Sequence, residues 1–281
     1  MAIGTSGNDT LSTTSDLEFI AGLDGNDSIT STHNFGVLSG GPGNDTLTTT
    51  LASYDALVSV TQMGGGGSDS LTFNYTQSPT FESPTVVGVL DGGNGDDTLN
   101  LFIPQTPQRT TTSRAQATGG YGADQIFVAI NADDELAPDA ELVVDAGFGN
   151  DAIFAAGATS WNGGGNSTTS ANAEVVIDLG NGDDSLYGSS ASTFSQGTST
   201  VREEVLGRAG NDVITANIRA GSWIFQSGGS STMTQTVDGG PGSDSITANV
   251  RATSTDRLDS ITSTCKGDAS AGGGLRCATS R

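Results

Sequence analysis

Asp91-Gly92-Gly93-Asn94-Gly95-Asp96-Asp97-Thr98-Leu99 is the stretch on which the reading of this chain turns. Gly92, Gly93 and Gly95 allow the backbone to curl through positive φ, where a Cβ would clash, so successive carbonyls turn toward one point. Asp97 brings a charged oxygen to the same place. Leu99 lies two residues further on, and because strand side chains alternate it starts a strand with an aliphatic residue facing inward.

The same pattern recurs from one end of the sequence to the other. Its aspartates are Asp9, Asp27, Asp45, Asp69, Asp97, Asp124, Asp151, Asp184, Asp212 and Asp244, each followed two residues later by Leu or Ile and preceded closely by glycine. One copy would mean little. Ten in phase with an aliphatic residue define a repeat of turn and strand.

These residues resemble the glycine-rich nonapeptide of the RTX (haemolysin-type) calcium-binding repeats, G-G-x-G-x-D-x-U-x with U a large aliphatic residue. The resemblance covers the chain from its first residues to about Val250. It implies an all-β fold, a right-handed parallel β-roll or β-solenoid, with Ca²⁺ held between stacked turns by the ten aspartates and by turn carbonyls. Calcium suits such a site because it is a hard cation that takes six to eight oxygens in loose geometry. Asp24, Asn94 and Asn181, in the middle of their turns, are candidates for further side-chain oxygens, whereas Pro42, Phe148 and Pro241 at the same place are not.

The aliphatic positions Leu11, Ile20, Ile29, Leu38 and Leu47 are nine apart, but Asp9, Asp27 and Asp45 are eighteen apart, with Glu18 and Gly36 at the intervening turns. Metal turns are therefore expected on one edge only. After Asp45 the intervals between aspartates grow to 24, 28, 27, 27, 33, 28 and 32 residues. The extra residues fall on the other edge, in the Ser-, Thr-, Pro- and Gly-rich stretches 74–84, 104–114 and 189–199, which read as loops. Strands after the turn also lengthen, as at Leu99, Leu101 and Ile103 or Ile246, Ala248 and Val250, so the coils should widen toward the C-terminus. A second apolar position falls seven residues before the aspartate, at Ile20, Leu38, Leu90, Val144, Ile177, Val205 and Val237. Ala2, Gln62 and Ala117 break it, and the coils of Asp69 and Asp124 are expected to bind metal less well. Helix is limited to at most one turn within 132–141.

The reading gives one elongated domain, 1–250, followed by 251–281 as a degenerate final coil and tail. In that tail Asp259-Ser260-Ile261 reads as a worn turn, and Cys265 and Cys277 bracket a glycine-rich loop. An extracellular setting favours a disulfide between them, with free thiols or an intermolecular bond as the alternatives.

A net charge of −22 makes nucleic acid and anionic membrane surfaces poor partners. About eight or nine calcium ions would bring roughly +16 to +18 and leave a near-neutral body, so the metal-free chain should repel itself. No apolar run is long enough to insert in a membrane as a helix. Met1-Ala2-Ile3-Gly4 enters the first repeat directly, without a basic and apolar leader. The resemblance then implies secretion to the exterior or cell surface by a signal-peptide-independent route; a mature or excised piece is the alternative.

The only histidine, His33, falls on the loop side, and neither an H-E-x-x-H zinc site nor a G-x-S-x-G elbow occurs, so catalysis is not expected. Two outward rows stand out. Thr10 and Ser12, Ser28 and Thr30, Thr46 and Thr48, and Ser70 and Thr72 form a hydroxyl array of the kind an ice-binding surface uses, and Phe127, Phe154 and Tyr187 form an aromatic row. The function expected is a secreted, calcium-dependent structural protein of a filament, surface layer or matrix, with itself as partner in a head-to-tail homopolymer. An adhesin or ice-binding module, with a surface glycan as partner, and the non-catalytic tail of a larger enzyme are the alternatives.

Overall fold

A computed structural model describes residues 1–52, 55–76, 85–103, 112–133, 139–161, 171–195, 199–222, 231–253, 258–267 and 275–280. Those residues contain strands and turns and no helix. Each coil contributes one strand before its glycine turn and one after it. The pre-turn strands form one parallel eleven-stranded sheet in chain order and the post-turn strands form another, the stacked arrangement of a β-solenoid.

Register is set by the aliphatic residue two places after each aspartate. Leu11, Ile29, Leu47, Leu71, Leu99, Ile126, Ile153, Leu186, Ile214 and Ile246 pair successively along the post-turn sheet. Opposite them, Ala2, Ile20, Leu38, Gln62, Leu90, Ala117, Val144, Ile177, Val205, Val237 and Cys265 pair along the pre-turn sheet. A one-residue slip would turn either row out to solvent, so the two rows lock one another. Intervals of 18 to 33 residues between aspartates leave this register intact, because the extra residues enter away from the turn.

Coils widen as expected. The first strands, Ala2–Ile3 and Thr10–Ser12, have two and three residues, whereas Ser185–Ser195 has eleven. The added positions alternate inward and outward and enlarge the core, so Leu101, Ile103, Val128, Ile130, Ile218 and Val250 are buried beside the original two rows. Wider coils also enclose polar groups. Gln62 donates from Nε2 to Thr49 Oγ1 at 2.9 Å and to the Thr72 carbonyl at 2.9 Å. Glu203, fully buried, accepts from Ser189 Oγ and from Gln235 Nε2. Burial raises the Glu203 carboxyl to about 7, against the lowering by those donors.

Several loop expectations change. Residues 77–84 and 104–111 lie outside the described residues, but Thr112 begins the strand Thr112–Tyr121 and Ser189–Ser195 continue the strand Ser185–Ser195. Within 132–141, residues 134–138 are outside the described set and Asp139 starts a strand. Asp259-Ser260-Ile261 is not a worn turn. It lies inside the pre-turn strand Leu258–Lys266, with Ile261 paired to Met233 and Cys265 to Val237, and Leu275–Ser280 pairs with the post-turn strand before it. The tail thus completes a coil of the same solenoid. Cys265 is disulfide-bonded, as expected of the pair; the side chain of Cys277 is outside those described.

The opposite edge of the narrow coils is closed by side chains. Asn34, buried, donates to Asp55 Oδ2 at 3.0 Å and to the Leu57 carbonyl at 2.8 Å, and its Oδ1 accepts from the amides of Phe35 and Ser59. His33 is half-buried with Nδ1 2.8 Å from Thr13 Oγ1. The Thr14 amide donates to Glu18 Oε2 at 2.7 Å and is the main cause that holds its carboxyl down at about 2.

Leu99 is fully buried between Leu71 and Ile126. Leu99→Ala is expected to cost about 2 to 5 kcal/mol, the range for emptying such a core position, and to shift the urea midpoint of the calcium-loaded protein; Asn100→Ala, on the outward side of the same strand, should leave that midpoint nearly unchanged.

Candidate metal centre

The turn brings the ten aspartates into one column, and an amide joins each to the next. The backbone N–H of Asp9 donates to Asp27 Oδ1 at 2.7 Å, that of Asp27 to Asp45 Oδ1, and so on through Asp69, Asp97, Asp124, Asp151, Asp184 and Asp212 to Asp244, at 2.7 to 3.1 Å throughout. One oxygen of each carboxylate from Asp27 onward is therefore satisfied by the coil before it. The second, Oδ2, is buried with no hydrogen-bond partner in Asp27, Asp45, Asp69, Asp97, Asp124, Asp151, Asp184, Asp212 and Asp244. Nine buried anionic oxygens without a donor are not a tolerable end state for a protein interior, where each costs several kcal/mol.

What surrounds those oxygens comes from the glycine five places before the aspartate. At Gly22, Gly40, Gly64, Gly92 and Gly119, and again at Gly207, a Cβ would overlap Oδ2 of its own coil's aspartate and crowd the carbonyl of the matching residue one coil on; Gly239 would overlap Asp244 Oδ2. The absent Cβ leaves a cradle in which a carboxylate oxygen and backbone carbonyls converge. Among the described residues no three His, Cys, Asp or Glu side chains gather on one point, so a ligand set must draw on main-chain oxygens. A hard, weakly directional cation such as Ca²⁺ fits such oxygens, while a soft or strictly octahedral ion does not.

Three coils depart from this cradle. The first coil keeps the glycine, Gly4, whose Cβ would meet Asp9 Oδ2 and the Gly22 carbonyl, but Asp9 Oδ2 is already engaged by Thr5, accepting from its amide at 2.6 Å and its hydroxyl at 2.9 Å. At the coils of Asp151 and Asp184 the fifth residue before the aspartate is Ala146 and Leu179, both fully buried. Their Cβ atoms occupy the place that glycine leaves open elsewhere. The coils of Asp69 and Asp124, expected to be weaker, keep Gly64 and Gly119; Gln62 and Ala117 sit in the core row and leave the turn alone.

Asp24, Asn94 and Asn181 are exposed at the turn apex and do not join the column. In the coil of Asp97 the apex stands between Gly93, φ 105°, and Gly95, φ 125°. Two left-handed residues around it swing its side chain outward, while the aspartate, at the mouth of the following strand, points in. A second ladder, not anticipated from the sequence, runs one residue before the aspartates. Asn8, Asn26 and Asn44 accept through Oδ1 the amides of Asn26, Asn44 and Ser68 at 2.8 to 2.9 Å, and Asn150, Asp183 and Asn211 repeat this farther on. The recurring Asn or Asp at that place was its visible signal.

Burial is the main cause that raises the column carboxyls, to about 6 at Asp69, Asp124 and Asp184 and about 7 at Asp97, Asp151 and Asp212, opposed by the amide each accepts and reinforced by neighbouring carboxylates. A carboxyl whose folded value lies above its unfolded value stabilises the fold fully only below the unfolded value, about 4. In excess chelator the protein should thus keep its β-sheet circular dichroism near about pH 4 and lose it as pH rises through about 6 to 7. Calcium should restore the signal at neutral pH, since ligands must be deprotonated to bind it.

The family model for the RTX calcium-binding nonapeptide repeat matches the chain in four places, residues 3–31, 37–50, 89–101 and 175–192. No curated protein and no solved structure matches. The matched stretches contain Asp9, Asp27, Asp45, Asp97 and Asp184; the structure sets Asp69, Asp124, Asp151, Asp212 and Asp244 in the same column.

Proposed function

Taking as premise that this is an RTX-repeat chain and that RTX repeats bind calcium, we propose that it is a secreted, non-enzymatic structural protein of an extracellular filament, surface layer or matrix, folded by calcium and stacked end to end. RTX repeats are typical of secreted proteins. The observation that carries the reading is the column of nine buried, unpartnered carboxylate oxygens. Such a column holds together where calcium is plentiful and repels itself where calcium is scarce, which couples folding to export.

In this reading the ions lie at the seven cradles that combine an orphan Oδ2 with a glycine, those of Asp27, Asp45, Asp69, Asp97, Asp124, Asp212 and Asp244. Asp151 and Asp184, crowded by Ala146 and Leu179, form a gap in the column. Ala146→Gly is expected to raise the calcium stoichiometry by one, measured by atomic emission on gel-filtered protein; an unchanged count would place the limit elsewhere.

End-to-end stacking is supported by the strand edges. Among the described residues Ala2–Ile3 and Leu258–Lys266 are the outer strands of one sheet and Thr10–Ser12 and Leu275–Ser280 those of the other, and the edge strand of a sheet is a template with which another copy can pair. Because Asp9 is closed on Thr5, the joint is made by strand pairing rather than by a shared ion. Sedimentation in millimolar calcium is expected to show concentration-dependent growth, with fibres in the microscope and their loss in chelator. A monomer at every concentration would remove the filament.

A second reading is favoured by one observation. Thr10, Ser28, Thr46 and Ser70 pair in one outward row and Ser12, Thr30, Thr48 and Thr72 in another, the flat hydroxyl grid an ice-binding face requires. Thermal hysteresis would favour it over the structural role.

A further inference from the structure

The outer side of the same turns carries a feature that calcium does not explain. Tyr121 and Phe148, at the apex of successive turns, are in register, with ring centroids 5.0 Å apart and planes within 7°. They are 59% and 51% exposed, and Asn181 continues the row on the next coil. Three residues earlier in each turn, Thr118, Asp145 and Asp178 form a parallel row. Between the rows run Gly120, Gly147 and Gly180, all at positive φ, where a Cβ would overlap the carbonyl of the coil before. Stacking thus imposes a floor without side chains.

The result is a trough of about 490 Å³, aromatic on one wall, polar on the other. Its far end is stopped by Arg208, which takes the glycine's place at φ 70° and folds back on Asp178, Nε 2.9 Å from Oδ1 and Nη2 2.5 Å from Oδ2. A non-glycine residue rarely adopts that conformation. Here it puts a cation, the only one among the described residues that line the trough, across that end.

We infer that this trough binds a neutral oligosaccharide. Exposed aromatic rings offer apolar faces to the C–H face of a pyranose, and the opposite wall supplies the hydroxyl, amide, carboxylate and guanidinium groups that hydrogen-bond its hydroxyls. Arg208, bound to Asp178, still has N–H donors to give, since a guanidinium carries five. Neutrality follows from charge: Asp145 and Asp178 face the trough, Arg208 is engaged by Asp178, and the chain as a whole carries −22. Coils spaced about 4.8 Å apart make the three-coil floor roughly 10 Å long, room for about two sugar rings. The inference is independent of end-to-end assembly.

The test uses the calcium-loaded full chain, titrated with maltotriose, cellotriose, laminaritriose and N-acetylchitotriose, and with trigalacturonate as the anionic contrast, by saturation-transfer NMR and calorimetry. At least one neutral trisaccharide should bind, Tyr121→Ala and Phe148→Ala should each weaken it about tenfold or more, and Asp145→Asn should weaken it to a lesser degree. Phe127→Ala, outside the trough, should leave it unchanged. Circular dichroism checks that each variant keeps the calcium-dependent β signal, and Asp145→Asn, at an exposed side chain, serves if an aromatic variant does not fold. No binding by any neutral sugar at millimolar concentration, tighter binding of trigalacturonate, or binding indifferent to Tyr121, Phe148 and Asp145 would each overturn the proposal. Loss of binding on chelation together with the β signal reports on the metal; loss with that signal intact reports on the trough.

Discussion

A buried carboxylate with one oxygen held by an amide and the other by nothing is the constraint on which this molecule depends. The hydrogen bond from the backbone N–H of each aspartate to the carboxylate of the next ties coil to coil and aims every carboxylate down one axis. It also fixes ten like charges in a row, and in a low-dielectric setting neighbouring charges of one sign repel strongly. Only protonation or a cation relieves that. The raised carboxyls, about 7 at Asp97 and Asp212, express the first escape, and the glycine cradles provide for the second. Fold and metal are one problem here, because the solenoid cannot stack its turns without concentrating the charge that unstacks them.

The core serves this column more than it drives it. With 34% apolar residues the chain has modest means of burying surface, and it spends them on two rows, the aliphatic residue after each aspartate and its partner on the facing sheet. Those rows keep the turns in phase. Since every coil touches only its neighbours, stability is close to a sum over coils, and a defect such as the apolar crowding at Ala146 and Leu179 can be carried locally. Inserted residues enter at the far edge, where they widen the coil and leave the turn unchanged. There the molecule also admits polar groups such as Glu203, held by Ser189 and Gln235.

Stacking has a second effect, on the outer face. Because the turn repeats at every coil, whatever stands at its apex becomes a row. The same geometry that puts aspartates inside lines up Tyr121 and Phe148 outside, and the post-turn sheet lines up Phe127, Phe154 and Tyr187 at 4.7 Å. A solenoid turns single substitutions into surfaces, so a metal-binding scaffold can acquire a binding face without disturbing its spine.

Much of this was legible in the residues. The spacing of the aspartates, the aliphatic residue two places after and the apolar residue seven places before determined two parallel sheets, their register and a single carboxylate column, because the inward positions of these two rows are apolar in every coil but that of Gln62. The tertiary structure decided the rest. Asp24, Asn94 and Asn181 recur beside the aspartates in sequence, yet left-handed residues on either side, glycines around Asn94 and Asn181 and Leu23 with Gly25 around Asp24, turn the apex outward, and periodicity does not record the direction in which a side chain leaves a turn. Asp259 resembled a turn residue but lies in a strand, at an irregularity between Leu258 and Ser260, since the pairing of Ser260 with Thr232 and Ile261 with Met233 across the stack outweighs local resemblance. The cradle beside each Oδ2, the closure of Asp9 by Thr5 and the trough beside Phe148 depend on contacts within the turn or between residues 18 to 33 positions apart. Such contacts exist only after coils have stacked, when backbone from one coil closes on side chains of the next.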